Sequence, residues 1–504
     1  MDDARLKQPG ETRALAEFAL NLKLDDCPLD VIHQAKRCTI ETLACALGGS
    51  RTPLVRTALS AMERMGDVHA NGIATIVGAG KRTAPDRAAF VNGVAANALD
   101  YDGGVVLQGH YGGTVIFATL AMAELTKCSG REFVEAVIAA YEVTTRIGEA
   151  TRPTPEYRRQ VSGYGPHQGF AAVVAAGRLL KLDVDRMVNA FGIYGTFAPL
   201  PSSAQWNWRN RPLTWTKDMV AWPSVSGINA ALLAESGFLG PRTILEGDRS
   251  FWRMQASDRF DPAMLLEGLG TTFNMLRLYF KAYPTCRWNQ AALDAVLQIM
   301  ARRGWSERDI SAVEVGVARA LVDQQFEDYA PHNLVDAQFS LPYAVALILH
   351  GEKAGPHWYE PALFDSPVIR TTMRKVTVVL DPQIECLFVE KRMAGANVKV
   401  TGADGSVEIA RVDHAHGDAE NPLTDDELNA KYRAAAKVAL DDDTSEKLLT
   451  KMWQLERVKH AADIAALAAG RSGLIRSDSE RSAASIPASR RTAPTNATTT
   501  KKTE

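Results

Sequence analysis

The first half of this chain is dominated by alanine-rich apolar stretches that return at helical spacing. Residues 29–47 place Val31, Ile32, Ala35, Cys38, Leu43 and Leu47 near one helix face, and Gly48-Gly49 then ends the run. The same character recurs at 88–99, 114–126, 133–147, 169–180 and 225–236. Small side chains let helices approach closely, so these segments predict a helical core several layers deep. One short strand is expected in this half, at 73–77.

The pattern changes after about residue 270. Residues 310–317 and 376–380 are β-branched runs, and 397–401 and 407–412 flank Asp404-Gly405, a hairpin signal. Helical stretches at 290–299 and 341–349 lie between them. Beyond Asn421-Pro422 helical periodicity resumes at 424–440 and 445–468, and Thr424 with Glu427 has the spacing of a capping box. The expected fold is mainly α with an α+β part. It has a large all-helical domain over 1–270 and a smaller α+β lid domain over 271–412. Helices over 413–471 return to the first domain. Residues 472–504, rich in Ser, Thr, Ala, Pro and basic side chains, read as a disordered tail.

Composition excludes several roles. The net charge is -2 and the body of the chain holds no long basic run, so a nucleic-acid partner is not expected. Cys27, Cys38, Cys45, Cys128, Cys286 and Cys386 form no CxxC pair, which speaks against a zinc site and a disulfide framework. No apolar run is long enough for a membrane span, and the polar, acidic N-terminus lacks the pattern of a secretion signal. The expected compartment is the cytoplasm, with reduced thiols.

The densest chemistry lies at 97–113, NALDYDGGVVLQGHYGG. Asp100, Asp102 and His110 can form an acid/base set, with a carboxylate orienting the imidazole. Glycines such as Gly104 let a ligand approach the backbone. The alternative is a helix end with a capping Asp and a buried His. His167, in GYGPHQGF, sits before a helix N-terminus suited to a carboxylate, or is an ordinary loop histidine. Lys217 follows QWNWRNRPLTWT, and Lys281 and Arg287 lie in LYFKAYPTCRWNQ. Each cation can hold a carboxylate, Arg287 bidentately. Trp206, Trp208 and Trp215, with Arg209 and Arg211, line a pocket mouth or pack an interface. Walker, dinucleotide-binding and GxSxG motifs are missing from the sequence, and the His414/His416 pair has no evident further ligands.

A collinear series spans roughly residues 10–460: ALDYD…GHYGG, SGREFVEAVIAAYEVTTRIGEA, SGINAALLAESGFLGP, KAYPTCRWNQAALDA, DAQFSLPYAVALILHG and NPLTDDEL. It resembles the MmgE/PrpD family. The resemblance implies a cofactor-independent lyase, a dehydratase or decarboxylase acting on a carboxylate in an interdomain cleft. It also implies a homodimer with no metal or organic cofactor. Asp100 and His110 match the family's catalytic pair, and Lys217 and Lys281 match its substrate-facing lysines. Asp102, Gly104, His167, Arg287, Tyr329 and Trp215 are the expected substrate-binding positions.

The chain also departs from the family. Gly103 and Gly104 stand where relatives carry Asp and Thr. Gly165 stands at a histidine position, with His167 two residues on. Gln290 replaces a further histidine. Gln325 falls near a tyrosine position, with Tyr329 as a stand-in. An isomerase or epimerase on the same scaffold, or a non-catalytic ligand-binding dimer, are the alternatives.

Overall fold

The computed structural model describes residues 10–66, 68–69, 71–158, 160, 165–201, 211–216, 221–255, 257–322 and 325–470. The tail expected over 472–504 lies outside the described residues.

Helices of six or more residues are numbered here in chain order. The first half folds into α1 (Glu11–Asn21), α2 (Leu29–Gly49), α3 (Pro53–Arg64), α4 (Pro85–Asn97), α5 (Gly112–Thr126), α6 (Gly130–Ala150), α7 (Gly169–Leu179), α8 (Val184–Phe197) and α9 (Trp222–Glu235). A two-stranded antiparallel hairpin, β1 (Ala74–Ile76) and β2 (Lys81–Thr83), interrupts them at the position of the expected short strand. α5 is apolar around its circumference, and every residue from Gly112 to Glu124 is buried, so it runs through the middle of the helical layer. Small residues make the close approach: a Cβ on Gly227 of α9 would stand 2.6 Å from the Gly169 carbonyl oxygen of α7.

The second unit contains α10 (Gln290–Arg303), β3 (Ile310–Val317), α11 (Leu334–Phe339), α12 (Leu341–Leu349), α13 (Pro367–Met373), β4 (Val376–Leu380), α14 (Pro382–Lys391), β5 (Ala396–Gly402) and β6 (Val407–Val412). Its sheet has the order β4-β3-β5-β6. β4 runs parallel to β3, while β5 pairs antiparallel with β3 and β6. The β5–β6 turn carries Gly405 at φ 82°, as the Asp-Gly signal requires. Strand β5 alternates buried and half-buried residues along its length, so one face packs on the helices.

The last helices are α15 (Asp425–Ala436), α16 (Asp442–Trp453) and α17 (Ala462–Ala468). Thr424 and Glu427 cap α15 reciprocally, as their spacing predicts. The stretch 445–468 is not one helix. The break between α16 and α17 is pinned to the turn before α6: Gly130 N–H donates to the Val458 carbonyl at 2.8 Å, and Ala461 N–H to the Cys128 carbonyl at 3.0 Å.

Two apolar cores result. One gathers the helices up to Phe280 together with Leu423, Leu428, Tyr432, Leu448, Met452, Leu455 and Ile464. The other gathers Tyr283 to Ala415 and, from the first half, Leu213. Among the described residues no helix is long and apolar enough to cross a membrane.

Candidate active site

The segment between α4 and α5 cannot continue either helix. Asp100 and Leu107 adopt positive φ, 50° and 63°, and Gly103-Gly104 leads into a tight excursion. In its left-handed conformation Asp100 turns two acceptors toward one cation. Lys281 Nζ donates to the Asp100 carbonyl at 2.7 Å and to its Oδ1 at 2.5 Å. Both side chains are buried, so each ion relieves the other's loss of hydration.

Asp102 follows two residues on and meets a different partner. Its Oδ1 accepts from Asn97 Nδ2 at 3.0 Å, and its Oδ2 faces His110 Nδ1 at 3.3 Å. Burial by itself would raise the Asp102 pKa. The charges of His110 and Lys281 outweigh it and hold the carboxyl below its ordinary value. Asp102 therefore stays ionised and fixes the orientation of the imidazole. Ligand atoms of Asp100, Asp102 and His110 all lie within 4.8 Å of one another, near enough to share one cation. Lys281 already supplies positive charge at Asp100.

The backbone N–H groups of both glycines and the Gly104 carbonyl are hydrogen-bonded. Gly103 N–H donates to Glu41 Oε1 at 3.0 Å. Gly104 N–H donates to the Tyr279 carbonyl at 3.2 Å, and Tyr279 N–H donates back to Gly104 at 3.0 Å. A Cβ on Gly103 would stand 2.2 Å from the Tyr279 oxygen, and one on Gly104 2.2 Å from the Gly109 oxygen. These glycines are required by close packing.

A second buried lysine ties the layers together. Lys431 Nζ, from α15, donates to Glu41 Oε1 at 2.8 Å, to the Tyr101 carbonyl at 2.8 Å and to the Lys281 carbonyl at 3.1 Å. Burial would lower its pKa, but Glu41 and the other acidic groups around it hold it above the ordinary lysine value.

This frame opens onto a narrow cleft of about 450 Å³, counted to its open mouth. Asp100, Val105, Leu107, His110, Tyr279, Cys286, Arg287, Trp288 and Phe339 line it, drawn from the α4–α5 segment and from the edge of the second unit. Arg287 bonds Asp418 through Nη2 and lies over the Tyr279 ring, 5.1 Å from its centroid. Its Nη1 and Nε are buried and hold no hydrogen bond.

The sequence matches the models of a known family. The MmgE/PrpD N-terminal domain matches residues 13–262, and the MmgE/PrpD C-terminal domain matches residues 283–456. The chain belongs to the MmgE/PrpD family.

Among relatives of this MmgE/PrpD chain, a cis-aconitate decarboxylase-like protein oryM of Aspergillus oryzae is 24% identical, with 91% of this chain and 97% of the relative covered. The cis-aconitate decarboxylase of Homo sapiens is also 24% identical, covering 91% and 94%. That of Aspergillus terreus is 24% identical, covering 89% and 94%. With the family comes the coarse activity: this chain is an enzyme of the dehydratase or decarboxylase type, a lyase.

The expected site residues divide into three groups. Asp100, His110 and Arg287 line the cleft, with Asp102 and Lys281 directly behind Asp100 and His110. Lys217, Trp206 and Trp208 lie outside the described residues. The remainder lie outside the lining of this cleft. Gly104 is not among the lining residues, because both its backbone polar groups pair with Tyr279. His167 also stays out of the cleft lining: it is buried, and its Nε2 lies 2.9 Å from the Tyr111 hydroxyl. Burial pushes its pKa down to about 4, which favours the neutral imidazole near pH 7. Tyr329 is 37% exposed and donates its hydroxyl to the Val376 carbonyl at 2.7 Å, on the outside of the sheet unit. Trp215 is 48% exposed. Its segment is tied to the second unit through Arg211 and the Leu213 N–H, which meet Asp336 Oδ1 at 3.0 and 2.8 Å.

Tyr279, Trp288, Phe339, Asp418, Glu41 and Lys431 belong to the site or its frame and were not singled out from the sequence. The one available signal was charge: a lysine in the apolar face of 424–440 and an arginine inside KAYPTCRWNQ both demand distant counter-ions.

Proposed function

We propose that this enzyme removes carbon dioxide or water from a carboxylate substrate held in the cleft, with His110 as the proton carrier. The observation that carries this reading is the His110–Asp102 pair opening onto the same cleft as the unsatisfied Arg287 guanidinium. Asp102 Oδ2 faces Nδ1 of the imidazole at 3.3 Å, which leaves Nε2 as the nitrogen that exchanges a proton with substrate carbon or with the departing hydroxide. Arg287 holds a carboxylate. The Lys281–Asp100 pair fixes the turn that carries His110.

In decarboxylation the bond to the leaving carboxylate breaks, its electron pair stays on carbon, and the His110 proton quenches it. In dehydration His110 takes the carbon-bound proton and returns it to the departing hydroxide, which leaves as water. Relatives named cis-aconitate decarboxylase favour the first of these. The test is product analysis in deuterated buffer with a panel of unsaturated and hydroxylated carboxylates, cis-aconitate included. Release of carbon dioxide with deuterium in the product, or of water without it, is expected. Deuterium exchange or epimerisation without either loss would replace the lyase reading by an isomerase.

A further inference from the structure

Among the described residues, the cleft wall offers one guanidinium with hydrogen-bonding capacity to spare. Arg287 is 7% exposed; Nη2 is bonded to Asp418, while Nη1 and Nε are buried without partners. Buried charged donors persist without acceptors where a ligand supplies them. Asp418 is held in place in turn, accepting from the Ala415 N–H at 2.9 Å. The nearby cation, Lys281, is spent on Asp100. The wall around Arg287 is otherwise mostly hydrocarbon and aromatic: Val105, Leu107, Tyr279, Trp288 and Phe339. The Trp288 ring is braced by Phe388 of α14, their centroids 5.0 Å apart. Among the described residues, a carboxylate pressed against this part of the wall, away from His110, loses its hydration and gains no donor in return.

We propose that Arg287, braced by Asp418, is a single-carboxylate anchor. It makes the site selective for substrates bearing an apolar or aromatic substituent beside that carboxylate, over tricarboxylates. The proposal rests on reading the cleft as the lyase site and names the class of substrate it takes. Asp418 is a positioning residue, because it acts through Arg287.

The test is isothermal titration of the full-length protein with 3-phenylpropanoate, glutarate and tricarballylate. The wild type is expected to bind 3-phenylpropanoate about tenfold or more tighter than tricarballylate. Arg287→Gln is expected to weaken 3-phenylpropanoate about 30-fold, and Arg287→Lys less, because a point charge replaces the fork. Asp418→Asn should weaken binding and raise KM with little change in kcat. A preference for tricarballylate, or no binding of any of the three, would overturn the selectivity. Equal binding by Arg287→Gln would overturn the anchor. Should that variant fail to fold, Asp418→Asn and the wild-type series decide the matter. Since 3-phenylpropanoate has no group to lose, its binding reports on the anchor even if the lyase chemistry is refuted by product analysis.

Discussion

At the scale of single residues, the acid/base cluster was legible in outline but not in its pairing. Two carboxylates at i and i+2 share one side of an extended chain, so spacing alone does not say which of them meets the imidazole. Which one meets the imidazole depends on the positive φ of Asp100, which turns that residue to Lys281 and leaves Asp102 for His110. Asp102→Asn should therefore lower kcat by about 10²-fold while KM changes little, because the carboxylate touches the catalytic base and not the ligand. Steady-state kinetics on the folded variant checks this. The sequence around His167 shows a helix start but not its surroundings, and tertiary packing buries it. With its pKa lowered to about 4 from 6.5, the unfolded chain binds a proton in that interval that the folded protein does not. Stability is thus complete above pH 6.5 and falls with acid toward pH 4, by about 1.4 kcal/mol per unit. Thermal melts between pH 7 and 4.5 should show this slope, and His167→Gln should flatten it.

At the scale of elements, periodicity located the helices and strands well, because most carry one strongly apolar face or the capping and turn residues their ends require. The β5–β6 hairpin and the Thr424 cap are examples. What sequence patterning could not show is how backbone meets backbone. Gly103 and Gly104 read as lost side chains, yet they are the places where the α4–α5 segment pairs with Tyr279 and closes on Gly109. Restoring the family's residue should therefore harm the fold. Gly104→Thr is expected to cost about 1–3 kcal/mol in denaturant unfolding and to reduce activity, since the clash displaces the hairpin that lines the cleft. Unchanged stability would mean that the 105–109 turn moves freely.

At the scale of the whole molecule, the site exists because three distant parts of the chain converge. Lys431 from α15 bonds Glu41 of α2 and the carbonyls of Tyr101 and Lys281, so the returning helices hold the catalytic segment in place. No local pattern reports a pair 390 residues apart. Lys431→Met alone should destabilise by about 3–5 kcal/mol, because Glu41 is left buried and charged. The double variant Glu41→Gln/Lys431→Met should recover much of that loss, since Gln keeps an acceptor for the Gly103 N–H. Chemical denaturation of the two singles and the double closes this cycle. The most direct test of the account is the single-turnover rate of His110→Asn, on the substrate that the product analysis identifies, with folding verified by melting temperature. A fall of about 10²- to 10⁴-fold is predicted. A rate within a few-fold of the wild type would show that His110 does not carry the proton.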